Sequence, residues 1–324
     1  MKLLFVGCRD NRHSKFGGYD WIRFYPNSDY LSDKDVFLGK IKFGTPGKFL
    51  NLFFLDRASK KKANEYDIVH YFYGDSTLFY PFPKNRKYKA VVTIHLDTEK
   101  KEKHHKNMLK CLKSCDAVIV LNSAQCNFLK TQYNLNAFFL PHGFNLPSFS
   151  YKRSVLQMDS NKINIVTVGK QYRDYETLEN TIKYFEKDER FHFYLVGTAK
   201  DKKEVFYKYS NATVCGRLDD DEYYSLISDC DYSFLPLTFA TANNALMEAQ
   251  SLMVPSILPN ISGVLDYACK NDNLFYSSQK EIIDIFDTLQ KHEKCESLKE
   301  FAQQFEWSKI YEKLNLIYSS LESE

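Results

Sequence analysis

Apolar residues along the chain gather into short runs that alternate with stretches of helical period. Lys2 to Gly7, Asp67 to Tyr73, Lys89 to His95, Ala117 to Leu121 and Ala137 to Leu140 read as strands in the first half. Lys162 to Gly169, Phe191 to Gly197, Tyr232 to Leu235 and Pro255 to Leu258 do so in the second. Val91, Val92 and Thr93 are β-branched in succession, a pattern suited to a parallel strand buried on both faces. Between the runs, Leu178, Ile182 and Phe185 recur on one helix face, as do Ala245, Leu246, Ala249 and Leu252, and Ile310, Leu314 and Ile317. Strand and helix alternate through both halves, which predicts α/β architecture with parallel sheets. Residues 146–161 lose this periodicity, and 149–161 reads as a linker between residues 1–148 and 162–305, with 306–324 a terminal helix. One or two helices are expected within 30–64, with the apolar part packed and the Lys60-Lys61-Lys62 run solvated.

A length of 324 residues gives each of two domains a sizeable core. With 44% apolar and 26% charged residues the chain is a folded protein and not a disordered one. A net charge of +3 gives no argument for nucleic acid as partner. No apolar run approaches a membrane span, and MKLLFVGCRD turns charged too early for a signal peptide. The eight cysteines form no CxxC pair, and Cys111 and Cys115 beside His104 and His105 complete no ligand set, so no metal is expected and the thiols fit a reducing cytosol.

Candidate chemistry sits where strands end. After the Lys162–Gly169 run, Lys170 and Arg173 can clamp a diphosphate, or be an ordinary surface pair. After the Tyr232–Leu235 run comes the small, polar tract TFATANN, and then a helix that Asn243 or Asn244 can cap. Such a loop feeding a helix start suits an anion, or is an ordinary loop before a capped helix. Glu248, about one turn inside, suits hydroxyls such as a ribose diol. Gly17-Gly18 follows the first strand without a GxGxxG pattern, and is either a plain turn or a ligand loop. His95 ends its strand where ligands of open α/β sheets bind, or is a loop histidine. Asp75 and His142 are weaker candidates, and His70 reads as packed. Residues 99–114 read as a basic helix, either a solvated surface helix or, through its short apolar face, one drawn to anionic lipid.

The stretch from Leu235 to Ala268, LPLTFATANNALMEAQSLMVPSILPNISGVLDYA, resembles the C-terminal signature of family 4-like, retaining, nucleotide-sugar glycosyltransferases of the GT-B fold. That family carries two glutamates eight positions apart. Glu248 matches the second, which holds the donor ribose, whereas Ala240 stands where the first, which touches the donor sugar, belongs. The resemblance implies two Rossmann-like domains facing each other across a cleft, and a terminal helix crossing back to the first. It implies donor contacts from Gly17, Gly18, Gly169, Lys170, Arg173, Gly216, Asn243, Asn244 and Glu248, and chemistry carried by His95, Lys170 and Arg173. Its Arg and Lys after the glycine-ended strand are exchanged in type here. The implied activity is metal-independent sugar transfer from a nucleoside-diphosphate sugar to a hydroxyl of a glycan or lipid-linked acceptor, in bacterial surface polysaccharide or glycoconjugate synthesis. It implies a cytoplasmic enzyme without cofactor, peripheral to the inner membrane face where the acceptor is lipid-linked. A non-catalytic scaffold or partner subunit, or a nucleotide-sugar epimerase on the same fold, is the alternative.

Overall fold

A computed structural model describes residues 1–8, 18–36, 45–96, 106–152, 156 and 158–322, with backbone alone for 45–49 and 106. The chain divides into two units, Met1–Phe144 with Trp307–Glu324, and Asn145–Glu306.

The first unit contains strands β1 (Leu3–Gly7), β2 (Ser28–Ser32), β3 (Ile68–Tyr71), β4 (Lys89–Ile94), β5 (Ala117–Val120) and β6 (Ala137–Phe139). Its helices in chain order are α1 (Thr45–Lys62), α2 (Gly74–Thr77), α3 (Lys106–Leu112) and α4 (Ser123–Tyr133). The six strands pair in parallel in the order β2-β1-β3-β4-β5-β6. The order reverses between β1 and β3, and ligands of open sheets bind beyond the strand ends at such a reversal. Leu4, Val6, Val69, Tyr71, Val92 and Val118 form the core under α1, whose Leu52 and Leu55 join it.

The second unit contains β7 (Ile163–Val168), β8 (Phe191–Val196), β9 (Ala212–Val214), β10 (Tyr232–Phe234), β11 (Ser256–Pro259) and β12 (Leu274–Tyr276). They alternate with α5 (Tyr175–Tyr184), α6 (Asp220–Asp229), α7 (Asn244–Ser251), α8 (Ser262–Leu265), α9 (Gln279–Thr288) and α10 (Glu296–Gln303). The sheet order, β12-β11-β10-β7-β8-β9, is that of a dinucleotide-binding sheet, with its reversal between β7 and β10. Ile165, Leu178, Phe193, Phe234 and Ile257 fill its core around Phe286, whose ring stacks on Phe185 and Phe193 at 5.1 and 5.9 Å. The last helix, α11 (Trp307–Glu322), belongs to the first unit and buries Ile310, Leu314 and Ile317 as their spacing predicts.

Three local features differ from the sequence pattern. Residues 28–32, with only Tyr30 and Leu31 apolar, form a half-exposed strand at the sheet edge, where one row of backbone bonds and polar side chains suffice. The segment 149–152 lies along α6. Phe149 packs on Tyr224 at 5.6 Å, and the amides of Ser150 and Lys152 donate to Asp221 and Ser225. On α1, Leu50 and Phe54 are exposed rather than packed, whereas Lys60 is half-buried against Asp56. Of the expected basic helix, residues 99–105 lie outside the described residues. In α3 Met108 packs against the core, while Lys110 is exposed.

Candidate functional site

At the reversal between β7 and β10, the chain leaves β7 through Gly169 at φ 85°, the left-handed region that glycine enters without steric cost. Tyr172, at φ 55°, is also left-handed, which for an aromatic residue is strained by about 1–3 kcal/mol. Two contacts hold it there. The Thr238 amide donates to the Tyr172 carbonyl at 3.0 Å, and the Phe239 ring meets the Tyr172 ring at 5.3 Å. The Asp174 amide donates to the Pro236 carbonyl at 3.0 Å, and Arg173 pairs with Leu237 in an isolated bridge. The loops after β7 and β10 are therefore sewn together by backbone, which brings the Lys170–Arg173 segment beside the TFATANN tract.

Arg173 Nε donates to the Val168 carbonyl at 2.7 Å, and a terminal nitrogen donates to the same oxygen. These bonds fix the guanidinium plane and use two of its five N–H donors, leaving the rest for an anion. Burial lowers its pKa to about 10, opposed by Tyr175, Tyr223 and Tyr276, so it is cationic at neutral pH. Lys170 is exposed.

Asn243, not Asn244, caps α7: its side-chain oxygen accepts from the Leu246 amide at 3.4 Å, and Asn244 is the first helical residue. Ala240 is buried, and a Cβ placed on Gly263 would stand 1.7 Å from its carbonyl oxygen. Only glycine lets the first turn of α8 support the tract this closely. Gly216 is exposed with open space around it, so any donor contact there comes from backbone.

Glu248 is 4% exposed. Tyr223 donates to its Oε2 at 2.5 Å and Tyr224 to its Oε1 at 3.4 Å. Burial, then the Glu248 charge, raises the Tyr223 pKa well above its usual value, so the hydroxyl stays protonated and donates. Tyr223 also feels the Arg173 charge. Its signal was hidden. DDDEYY reads as the capped start of α6, which it is: Asp219 and Glu222 form a reciprocal capping box.

In the first unit, His95 leaves β4 where expected. Its Nε2 lies 2.7 Å from the Phe72 carbonyl, which can only accept, so Nε2 carries the proton. Tyr19 and Tyr73 flank the ring at 4.5 and 4.8 Å. Asp75, a weaker candidate in the sequence, clasps the loop by accepting from the amides of His95 and Leu96 at 2.7 and 3.2 Å. His142 is buried, bonded to the Gly143 carbonyl and 5.0 Å from the Tyr19 ring. Tyr19, unsignalled by any pattern, joins His95, His142 and Trp307. His70 is a core residue: it bonds Tyr318 and Thr93, and burial lowers its pKa to about 3. Gly18 begins the 3-10 turn Tyr19–Phe24 at φ −79°, which any residue adopts, and Gly17 lies outside the described residues.

Among the described residues no cluster of three His, Cys, Asp or Glu could hold a metal ion, and no helix is long and apolar enough to cross a membrane.

The sequence matches no protein-family profile and no curated protein. Solved structures do match. Sucrose-phosphate synthase from Thermosynechococcus elongatus superposes with a TM-score of 0.69 at 16% identity, over 99% of this chain and 89% of that one. The lipopolysaccharide outer core galactosyltransferase WaaB gives 0.69 at 13% identity, over 99% and 100%. Anabaena HepE in complex with UDP-glucose gives 0.68 at 14%, also over 99% and 100%. The chain thus has the GT-B fold expected from its sequence, two parallel six-stranded sheets with alternating helices.

Proposed function

We propose that the protein is a retaining glycosyltransferase that moves a sugar from a nucleoside-diphosphate sugar to a hydroxyl of a glycan or lipid-linked acceptor in surface polysaccharide or glycoconjugate synthesis. One observation carries this reading. At the reversal of the second sheet, a guanidinium fixed by its own strand, a capped helix start and a carboxylate one turn inside that helix stand around two loops sewn together. A diphosphate fits the cation and the helix terminus, and a ribose diol fits the carboxylate. The fold adds support, since its neighbours include a galactosyltransferase and a complex with UDP-glucose.

In this reading Arg173, Lys170 and the amides at the start of α7 stabilise the charge that builds on the departing diphosphate. The acceptor hydroxyl attacks the anomeric carbon from the face the diphosphate leaves, and a phosphate oxygen takes its proton. His95 positions the donor sugar. Ala240 in place of a glutamate removes a carboxylate from the sugar's surroundings, so donor choice differs from that of an ordinary hexose transferase.

The test is to screen nucleotide sugars by thermal shift, and then to follow release of the nucleoside diphosphate with and without candidate acceptors. Slow donor hydrolysis by the isolated chain is the expected minimum, and its complete absence with every donor favours a non-catalytic scaffold. Turnover should survive exhaustive chelation. Activity that vanishes with EDTA and returns with manganese would overturn the metal-free mechanism.

A further inference from the structure

Tyr172 occupies a position that its side chain does not suit. At φ 55° a glycine or an asparagine carries less strain than an aromatic residue. Strained residues gather at ligand sites, where the surrounding structure holds them in place. Here the neighbouring loop does so: the amide and the hydroxyl of Thr238 both donate to the Tyr172 carbonyl, at 3.0 and 3.4 Å.

The ring is not spent on the core. Tyr172 and Phe239 are both half-buried, and their rings meet edge to face at 5.3 Å and 70°. The pair gives the reversal of the second sheet an apolar surface. Tyr172 directly precedes Arg173, and Phe239 stands four positions before the cap Asn243. In the proposed site, Arg173 and the helix start that Asn243 caps bracket the diphosphate. A donor sugar is joined to that diphosphate through a single oxygen, so it lies against the groups that flank the bracket.

Those flanks carry no carboxylate to accept from sugar hydroxyls. Residues 169–173 are GKQYR and residues 238–242 are TFATA. Asp174, the next acid, accepts from the amide and the hydroxyl of Thr177 at 3.0 and 2.8 Å and is committed to capping α5. Ala240, buried beside Phe239, contributes only a methyl group.

We infer that Tyr172 and Phe239 select a donor whose sugar is a 6-deoxyhexose, with the methyl group of carbon 6 against the two rings. Loss of oxygen at carbon 6 leaves a methyl group that fills an apolar site, whereas loss at a ring carbon leaves only hydrogen. An apolar wall of this kind separates the two sugars by about 10- to 100-fold, because the extra hydroxyl is buried without a partner. The inference rests on the donor reading above and names the sugar class which that reading leaves open.

The experiment is calorimetric titration of the full chain, first with UDP, GDP and dTDP. Three sugar pairs follow: UDP-glucose with UDP-6-deoxyglucose, GDP-mannose with GDP-6-deoxymannose, and dTDP-glucose with dTDP-6-deoxyglucose. For the base that binds, the 6-deoxy sugar should bind tighter than its hydroxylated counterpart by about 10- to 100-fold. Tyr172→Gly removes the ring and relieves the strain. It should hold the thermal midpoint and the affinity for the free diphosphate, and bring the ratio between the two sugars close to one. Phe239→Ala should lower that ratio in the same way. Sound binding of a nucleoside diphosphate with equal or weaker binding of its 6-deoxy sugar overturns the inference and leaves the donor reading standing. So does a ratio that both variants keep. Binding of no nucleoside diphosphate overturns the donor reading, and the inference falls with it.

Discussion

Arg173→Ala should lower turnover of the nucleotide sugar by about 100- to 1,000-fold, the usual loss when one preorganised partner of a developing charge is removed. The size follows from the geometry. Its two bonds to the Val168 carbonyl hold the guanidinium without tying up its remaining donors, so little reorganisation accompanies charge build-up on the diphosphate. Because Arg173 also pairs with Leu237, loss of activity alone would not separate chemistry from a disordered loop. Two controls do so. Lys170 is exposed, and Lys170→Ala should weaken nucleoside-diphosphate binding in calorimetric titration with no change in thermal midpoint. Arg173→Lys keeps the charge and loses the planar fork, so it should recover part of the affinity but little of the rate. Diphosphate affinity unchanged in both alanine variants would remove these residues from the site.

What the sequence showed of this site, and what it hid, follows from the range of each interaction. Runs such as Val91-Val92-Thr93 exposed the sheets because β-branched side chains fit a strand buried on both faces, and β4 lies there. The glycine-ended strand before Lys170 and the cap at Asn243 were legible because local backbone chemistry dictates them: Gly169 takes φ 85°, and Asn243 bonds the helix start. The position of Glu248 inside its helix was equally local. Its surroundings were not, because Tyr223 reaches it from another helix, 25 positions earlier in the chain. The aromatic wealth of the chain concealed Tyr19 as well, since no spacing marks one ring among 26 Phe and 23 Tyr as the contact of two histidines. Asp75 misled for the same reason. A carboxylate after a strand serves a ligand or its own loop, and only the position of the His95 amide shows which.

The second large effect is expected at Glu248. Its two carboxylate oxygens accept from Tyr223 and Tyr224. The Tyr223 bond is the short one, and the Tyr224 contact to the other oxygen is longer. In the proposed site the same oxygens accept from ribose hydroxyls. Charge-assisted hydrogen bonds of this kind are worth about 1.5–3 kcal/mol each, so Glu248→Gln should weaken nucleotide binding by about 10- to 100-fold. Tyr223→Phe should produce a smaller loss, about tenfold, by letting the carboxylate turn. The Tyr223 hydroxyl stays protonated at any working pH, so this loss should not vary with pH. Both losses should shrink with a nucleotide that lacks a ribose hydroxyl, because the substitution and the deletion then remove one shared interaction. A purely structural Glu248, buried to satisfy two tyrosines, gives the opposite pattern. Both variants would melt earlier, and ribo- and deoxyribonucleotides would lose affinity equally. Calorimetric titration of the natural protein and the Glu248→Gln variant, each with ribo and deoxy ligand, decides between them. Poor discrimination by the natural protein itself would argue against a nucleotide at this site. Sound discrimination without coupling to Glu248 would leave the nucleotide in place and assign its ribose to another partner.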